Sequence, residues 1–194
     1  MYNVGDHVFY PKGGVFLIQK ECDKKIGGRE ISFFDLVSSD GKTKISIPKP
    51  NVDRVGVRKL ISPKELEQEM DDWIPDHKVS KLHHKNRKSR FETMRQTGNF
   101  TDMGQVMVTI HFLMNKTKAT FEEKRIYDQI RKRIVDEIQI IKDWPTNQVN
   151  KFLEETLDTA IQRKPRKDPE EELEKAGLAV ESGVAEPEAS KKAI

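Results

Sequence analysis

Up to about residue 60 the apolar residues come in short runs broken by turn residues. Val8-Phe9-Tyr10 ends at Pro11, and Gly13-Gly14 turns the chain into Val15-Phe16-Leu17-Ile18. Ile26-Gly27-Gly28 predicts a hairpin tip leading into a strand over 31–37. Ser39-Asp40-Gly41 marks a further tight turn before Lys44-Ile45-Ser46-Ile47, which stops at Pro48. Short β-prone runs separated by Gly, Pro and Asp are strands joined by hairpins. Their spacing predicts a small, strongly bent barrel.

After Lys59-Leu60-Ile61 the period changes to that of a helix. Ser62-Pro63-Lys64-Glu65 combines an N-cap serine, a proline at the first helical position and a glutamate three residues after the cap. Leu66, Met70, Trp73 and Ile74 follow on one face, and Pro75 ends the element. A second helix is expected over 80–96, with a thin apolar face (Leu82, Phe91, Met94) and a wide basic surface. Met103, Val106, Met107, Ile110, Leu113 and Met114 mark a third. Thr120-Phe121-Glu122-Glu123 opens a fourth, which runs through Ile126, Ile130, Ile134 and Ile138, and Val149, Leu153, Leu157 and Ile161 mark a fifth. The fold class is therefore α+β: an N-terminal barrel, then a five-helix bundle. Three segments are expected, at 1–62, 63–162 and 163–194. The last is a charged, proline-punctuated tail without apolar pattern, expected to be disordered with a transient helix over 170–175.

Charge sharpens this picture. The 194 residues carry a formal net charge of only +3. Yet residues 63–76 hold one basic residue against six acids, whereas residues 77–95 hold seven against one. A basic block of that density suits a polyanion. Lys81, Lys85 and Lys88 share one helical face with His84 alongside, and such a row can follow a phosphate backbone. The acidic pair Asp71-Asp72, at an unfavourable helix C-terminus, is expected to pair with the basic block. Trp73 and Trp144 are expected in the core.

Candidate chemistry is sparse. The paired glycines lack the spacing of a phosphate loop. Cys22 has no partner cysteine, so a reducing, cytoplasmic setting is expected. His77, His83 and His84 lie among lysines without ligand spacing, which argues against a metal. No apolar run approaches a membrane span. The reading is of a protein that is not an enzyme and needs no cofactor.

Val4-Gly5-Asp6-His7-Val8-Phe9-Tyr10-Pro11-Lys12-Gly13-Gly14-Val15 resembles the opening of the CarD/CdnL family of bacterial transcription regulators, where the pattern is Gly-Asp-x-Val-Val-Tyr-Pro-x-His-Gly-Val. Ile26-Gly27-Gly28, Phe33-Phe34-Asp35-Leu36, Ile45-Ser46-Ile47-Pro48 and Gly56-Val57-Arg58 resemble later family motifs in the same order. The resemblance implies a Tudor-like, SH3-type barrel that docks on the β subunit of RNA polymerase, with Lys24 and Ser46 at polymerase-facing positions that are usually basic, and with Lys42 and Lys44 nearby as substitutes for the cation that Ser46 replaces. It also implies a helical part that contacts promoter DNA at the upstream edge of the transcription bubble. The residues expected to do so are Lys81, His83, His84, Lys85, Arg87, Lys88 and Arg90. Family members usually carry a wedge tryptophan at the start of the basic helix; here that position falls on His83 or His84. A nucleoid-associated, cytoplasmic monomer follows from this reading. A different class stays open: a free-standing module whose SH3-like barrel binds RNA. A third reading is an adaptor whose basic helix meets an acidic partner.

Overall fold

The computed structural model describes residues 2–163. Five antiparallel strands come first: β1 (His7–Tyr10), β2 (Gly14–Ile26), β3 (Arg29–Ser38), β4 (Lys44–Pro48) and β5 (Arg58–Lys59). Their order across the sheet is β4-β3-β2-β1-β5, which leaves β4 and β5 as its edges. The β2–β3 ladder shifts register between Ile18 and Lys20, so that Gln19 is an extra residue in β2. An inserted residue bends a strand and increases its twist. The sheet curls around Val8, Phe16, Ile18, Leu36, Val52 and Val57.

Six helices follow: α1 (Pro63–Asp71), α2 (His77–Ser80), α3 (His84–Thr97), α4 (Phe100–Asn115), α5 (Phe121–Lys142) and α6 (Thr146–Ala160). The capping boxes expected at Ser62 and Thr120 are both present. The α+β class and the sheet-then-helices order hold. The difference is one helix: the element expected over 80–96 is α3, which starts only at His84, and the separate turn α2 precedes it. The Asp76 carboxylate accepts from the Val79 backbone N–H and starts α2, and the His83 ring accepts from the Lys85 N–H and starts α3. Two caps so close together leave room for only one turn before the chain restarts.

The sheet and helices share apolar contacts. Successive residues of a strand face opposite sides. In β1 this sends Val8 into the core of the sheet and Phe9 into the core of the helices, where Val15 joins it. Polar contacts reinforce the seam. Arg58 of β5 lies over the Phe9 ring, donates to the Gly98 carbonyl at 2.8 Å, and forms a two-pronged pair with buried Glu137 of α5 at 2.7 and 2.9 Å. Gly98 ends α3 at φ 69°, and a Cβ there would stand 2.7 Å from the Pro11 ring. Only glycine meets both conditions at low energy.

Trp73 is buried and stacks on Phe100, as expected of a core residue, while Trp144 is partly buried against Phe152. Asp71 pairs with Arg163, at 3.5 Å, from outside the basic block. Arg163 also donates to the Met70 and Asp71 carbonyls, so it closes the C-terminal end of α1. The tail expected over 163–194 therefore begins with an anchored residue; from residue 164 it lies outside the described residues. No helix among the described residues is long and apolar enough to cross a membrane.

Candidate functional site

The basic block forms one surface around the α2–α3 junction. Lys81 caps the C-terminus of α2, and His83, His84, Lys85, Lys88 and Arg90 are exposed on the following residues. Lys81 therefore reaches this surface from a separate helix rather than as a continuation of the row on α3. The His83 and His84 rings lie 4.1 Å apart, tilted by 40°. No acidic residue occupies the first turn of α3; His84 and Lys85 stand there instead. Cations at the positive end of a helix are unfavourable by themselves, and an anion would relieve them. Lys88 is partly neutralised by Glu122 of α5 at 3.2 Å.

Arg87 departs from the expected row. Its side chain turns inward, and the residue is 7% exposed. The guanidinium pairs with Glu123 at 2.7 and 3.1 Å and donates to the Leu82 and Lys118 carbonyls at 2.9 and 3.3 Å. Burial pushes the Glu123 carboxyl up, but the Arg87 guanidinium and the Thr120 N–H outweigh it and hold it below the usual range. Although Arg87 still lines a groove beside His77 and Lys81, these contacts occupy it as a tie between α3, the α4–α5 loop and α5. The reason is positional: Arg87 and Phe91 are one turn apart on the buried side of α3.

Tertiary structure adds residues that spacing did not connect. A groove of about 480 Å³ brings His77, Lys81, Phe112, Lys116 and Lys118 together, so the α4–α5 loop extends the basic surface. Two apolar side chains stand out beside it. Leu82 is 40% exposed between Lys81 and His83, and Phe121, the first residue of α5, is 79% exposed next to the Lys88–Glu122 pair. The sequence signal for Phe121 was present but ambiguous, because a residue inside a capping box can face either way.

The four residues expected on the sheet divide into two pairs. Lys24 of β2 and Ser46 of β4 meet around Asp35 of β3. Lys24 donates to the Ser46 hydroxyl at 3.3 Å and lies 4.0 Å from the Asp35 carboxylate. Ser46 donates to the other side of the same cluster, to Asp35, and Lys20 approaches Asp35 at 3.5 Å. The Ser46 hydroxyl and then the two lysines hold the Asp35 carboxyl below its ordinary range. Lys24 also sits over the Phe33 ring, 4.9 Å from its centre. Lys42, in the turn before β4, donates its backbone N–H to Asp40, and Lys44 opens the free edge of β4. Cys22 is half-buried and donates to Asp35 at 3.7 Å, so its thiol belongs to this cluster.

Residues 75–154 match the family model of the CarD C-terminal domain. That range contains every residue named on the basic surface. A solution NMR structure of the 72-residue N-terminal domain of Myxococcus xanthus CarD is similar at 29% identity; the likeness covers 30% of this chain and 79% of that one, with a TM-score of 0.27.

Proposed function

We propose that this CarD-like chain, with a CarD C-terminal domain over residues 75–154, is a non-enzymatic transcription regulator that joins RNA polymerase to promoter DNA. Residues 1–62 make the polymerase contact, and residues 63–162 make the DNA contact. The observation that carries the reading is the basic surface around the α2–α3 junction, which falls inside the matched range. Lys81, Lys85, Arg90, Lys116 and Lys118 supply cations for phosphates. His83 and His84 stand where the family carries its wedge tryptophan. Exposed Leu82 adjoins His83 in the chain and exposed Phe121 adjoins the Lys88–Glu122 pair, and an apolar side chain of either kind can press into an unstacked base step.

On the sheet, the Lys24–Ser46–Asp35 cluster and the free edge of β4 are the surface for the polymerase β subunit. An open edge accepts a further strand by main-chain hydrogen bonds, while Lys44 and Lys24 select its side chains. Tethering by one surface raises the effective concentration of the other near its target, so modest DNA affinity suffices. A protein that prefers the opened promoter then shifts the closed-to-open balance by its differential affinity.

The test uses the full chain in two arms. Lys24→Glu with Ser46→Glu should abolish co-purification with the polymerase β subunit and leave salt-sensitive binding to a forked promoter fragment. Lys85→Glu with Arg90→Glu should do the reverse. Retention of the β subunit by the first variant, or unchanged DNA binding by the second, would refute the assignment of that surface.

A further inference from the structure

A second concave, basic surface lies apart from the one just described. A cleft of about 600 Å³ opens between the β1–β2 turn, the loop before β5, the C-terminal end of α3 and the middle of α5. Its walls carry Lys12, Arg54, Arg95 and Arg133, and none of the residues lining it is acidic. Arg95 is held by Glu92 of its own helix at 2.6 Å. Lys12, Arg54 and Arg133 make no ion pair among the described residues.

Arg133 is the informative member. Its aliphatic stem packs beside Gly14, where an added Cβ would lie 3.9 Å from the arginine Cγ. One terminal guanidinium nitrogen is out of solvent and has no hydrogen-bond partner among the described residues. Burial and the nearby Arg95 both disfavour its charged form. Arginine does not lose its proton under physiological conditions, so the charge stays, with no carboxylate paired to it among the described residues. An arginine of this kind, lining a cleft with three other cations, has the chemistry of an anion receptor.

We propose that this cleft binds a small oligophosphate. The planar fork of arginine matches two phosphate oxygens at once, and several cations within one small volume call for several closely spaced negative charges. The volume falls in the range of roughly 300–1,000 Å³ found for small-ligand pockets. A duplex backbone is convex and carries its charges along its length; it could touch exposed Lys12 and Arg54 but not fill the concave space that Arg95 and Arg133 also line. The lining offers no aromatic ring on which a base could stack, so the phosphate chain itself is what the site recognises. Lys12 and Arg54 grip from the sheet, Arg95 and Arg133 from the helices. Occupancy therefore adds a second clasp across the seam already bridged by Arg58 and Glu137, and any ligand that binds only the folded chain stabilises it.

The experiment is titration calorimetry and thermal melting of the full chain with sodium tripolyphosphate, and separately with ATP, at low salt. Saturable one-site binding with a raised melting temperature is expected for both. Arg133→Met should weaken it at least tenfold, exposed Arg54→Ala several-fold, and Lys85→Glu by less than twofold. Tighter binding of ATP identifies a nucleotide as the source of the phosphates; equal binding identifies the phosphate chain alone. No saturable binding, or Arg54→Ala and Arg133→Met variants that both bind as the wild type does, would overturn the proposal. So would loss of promoter-fragment binding in Arg133→Met together with displacement of tripolyphosphate by duplex DNA, which would make the cleft part of the nucleic-acid surface.

Discussion

Arg87 and Arg90 stand three residues apart in the same basic block, yet their roles separate on burial. Arg90 is exposed, so Arg90→Ala should leave stability within about 0.5 kcal/mol of the wild type. Arg87→Met would leave Glu123 buried without its partner, and loss of one half of a buried pair is destabilising by about 3–5 kcal/mol. Urea unfolding of the two variants should show this contrast. Glu123 also sets a pH dependence. Its carboxyl titrates lower in the folded state than in the unfolded chain, so the unfolded state binds the extra proton as pH falls. The stabilisation is complete above the unfolded carboxylate value of about 4.3 and is lost as pH drops through the lower folded value. Melting temperature should therefore fall below about pH 4, and Glu123→Gln should flatten that part of the profile. A variant with an unchanged acid limb would contradict this role.

At the scale of elements, the packing of α4 on the Trp73 segment turns on Gly104. Helix propensity alone makes Gly→Ala favourable by about 1 kcal/mol in a helix interior. Here a Cβ would come within 2.2 Å of the Trp73 indole nitrogen. Trp73 is buried and stacked on Phe100, so it has no open space to retreat into. Gly104→Ala should lower the melting temperature despite its better propensity, and a rise would show that the indole moves freely. Phe121 gives the opposite case. At 79% exposure it contributes little to the core, so Phe121→Ala should leave unfolding unchanged while weakening binding to a forked promoter fragment. Strand and helix existence was legible from period and capping, as at Ser62 and Thr120. The short α2 was not, because one turn with a single buried apolar residue, Val79, offers no period to read.

Across the whole molecule, Arg58 ties three places together: Phe9 of β1, the Gly98 carbonyl between α3 and α4, and Glu137 of α5. Either member removed alone leaves an unpaired charge. Arg58→Met should be destabilising by about 3 kcal/mol or more, and Arg58→Met with Glu137→Met should recover part of it. A double variant equal to the sum of the singles would mean that the pair carries no coupling. The basic surface makes a separate prediction for binding. Each phosphate contact removed should reduce the salt slope of DNA affinity by about one, so Lys85→Ala with Arg90→Ala should reduce it by about two.

The order of strands and helices, the helix caps, the segregation of acid from base and the family resemblance were all determined by residue types at short separations. Local conformation and periodicity depend on neighbours in the chain, and these can be read there. Which cations face outward was decided only in three dimensions. Arg87 went inward because Glu123, 36 residues away, waits at the start of α5 with a carboxylate already held by its cap. Lys116 and Lys118 joined the basic surface because α4 returns the chain beside α2. The four cations of the cleft come from four separate stretches of chain, so no spacing could have announced them. A charge near its neighbours in sequence can be counted, but whether it meets solvent, a carboxylate or another cation depends on what the fold brings against it.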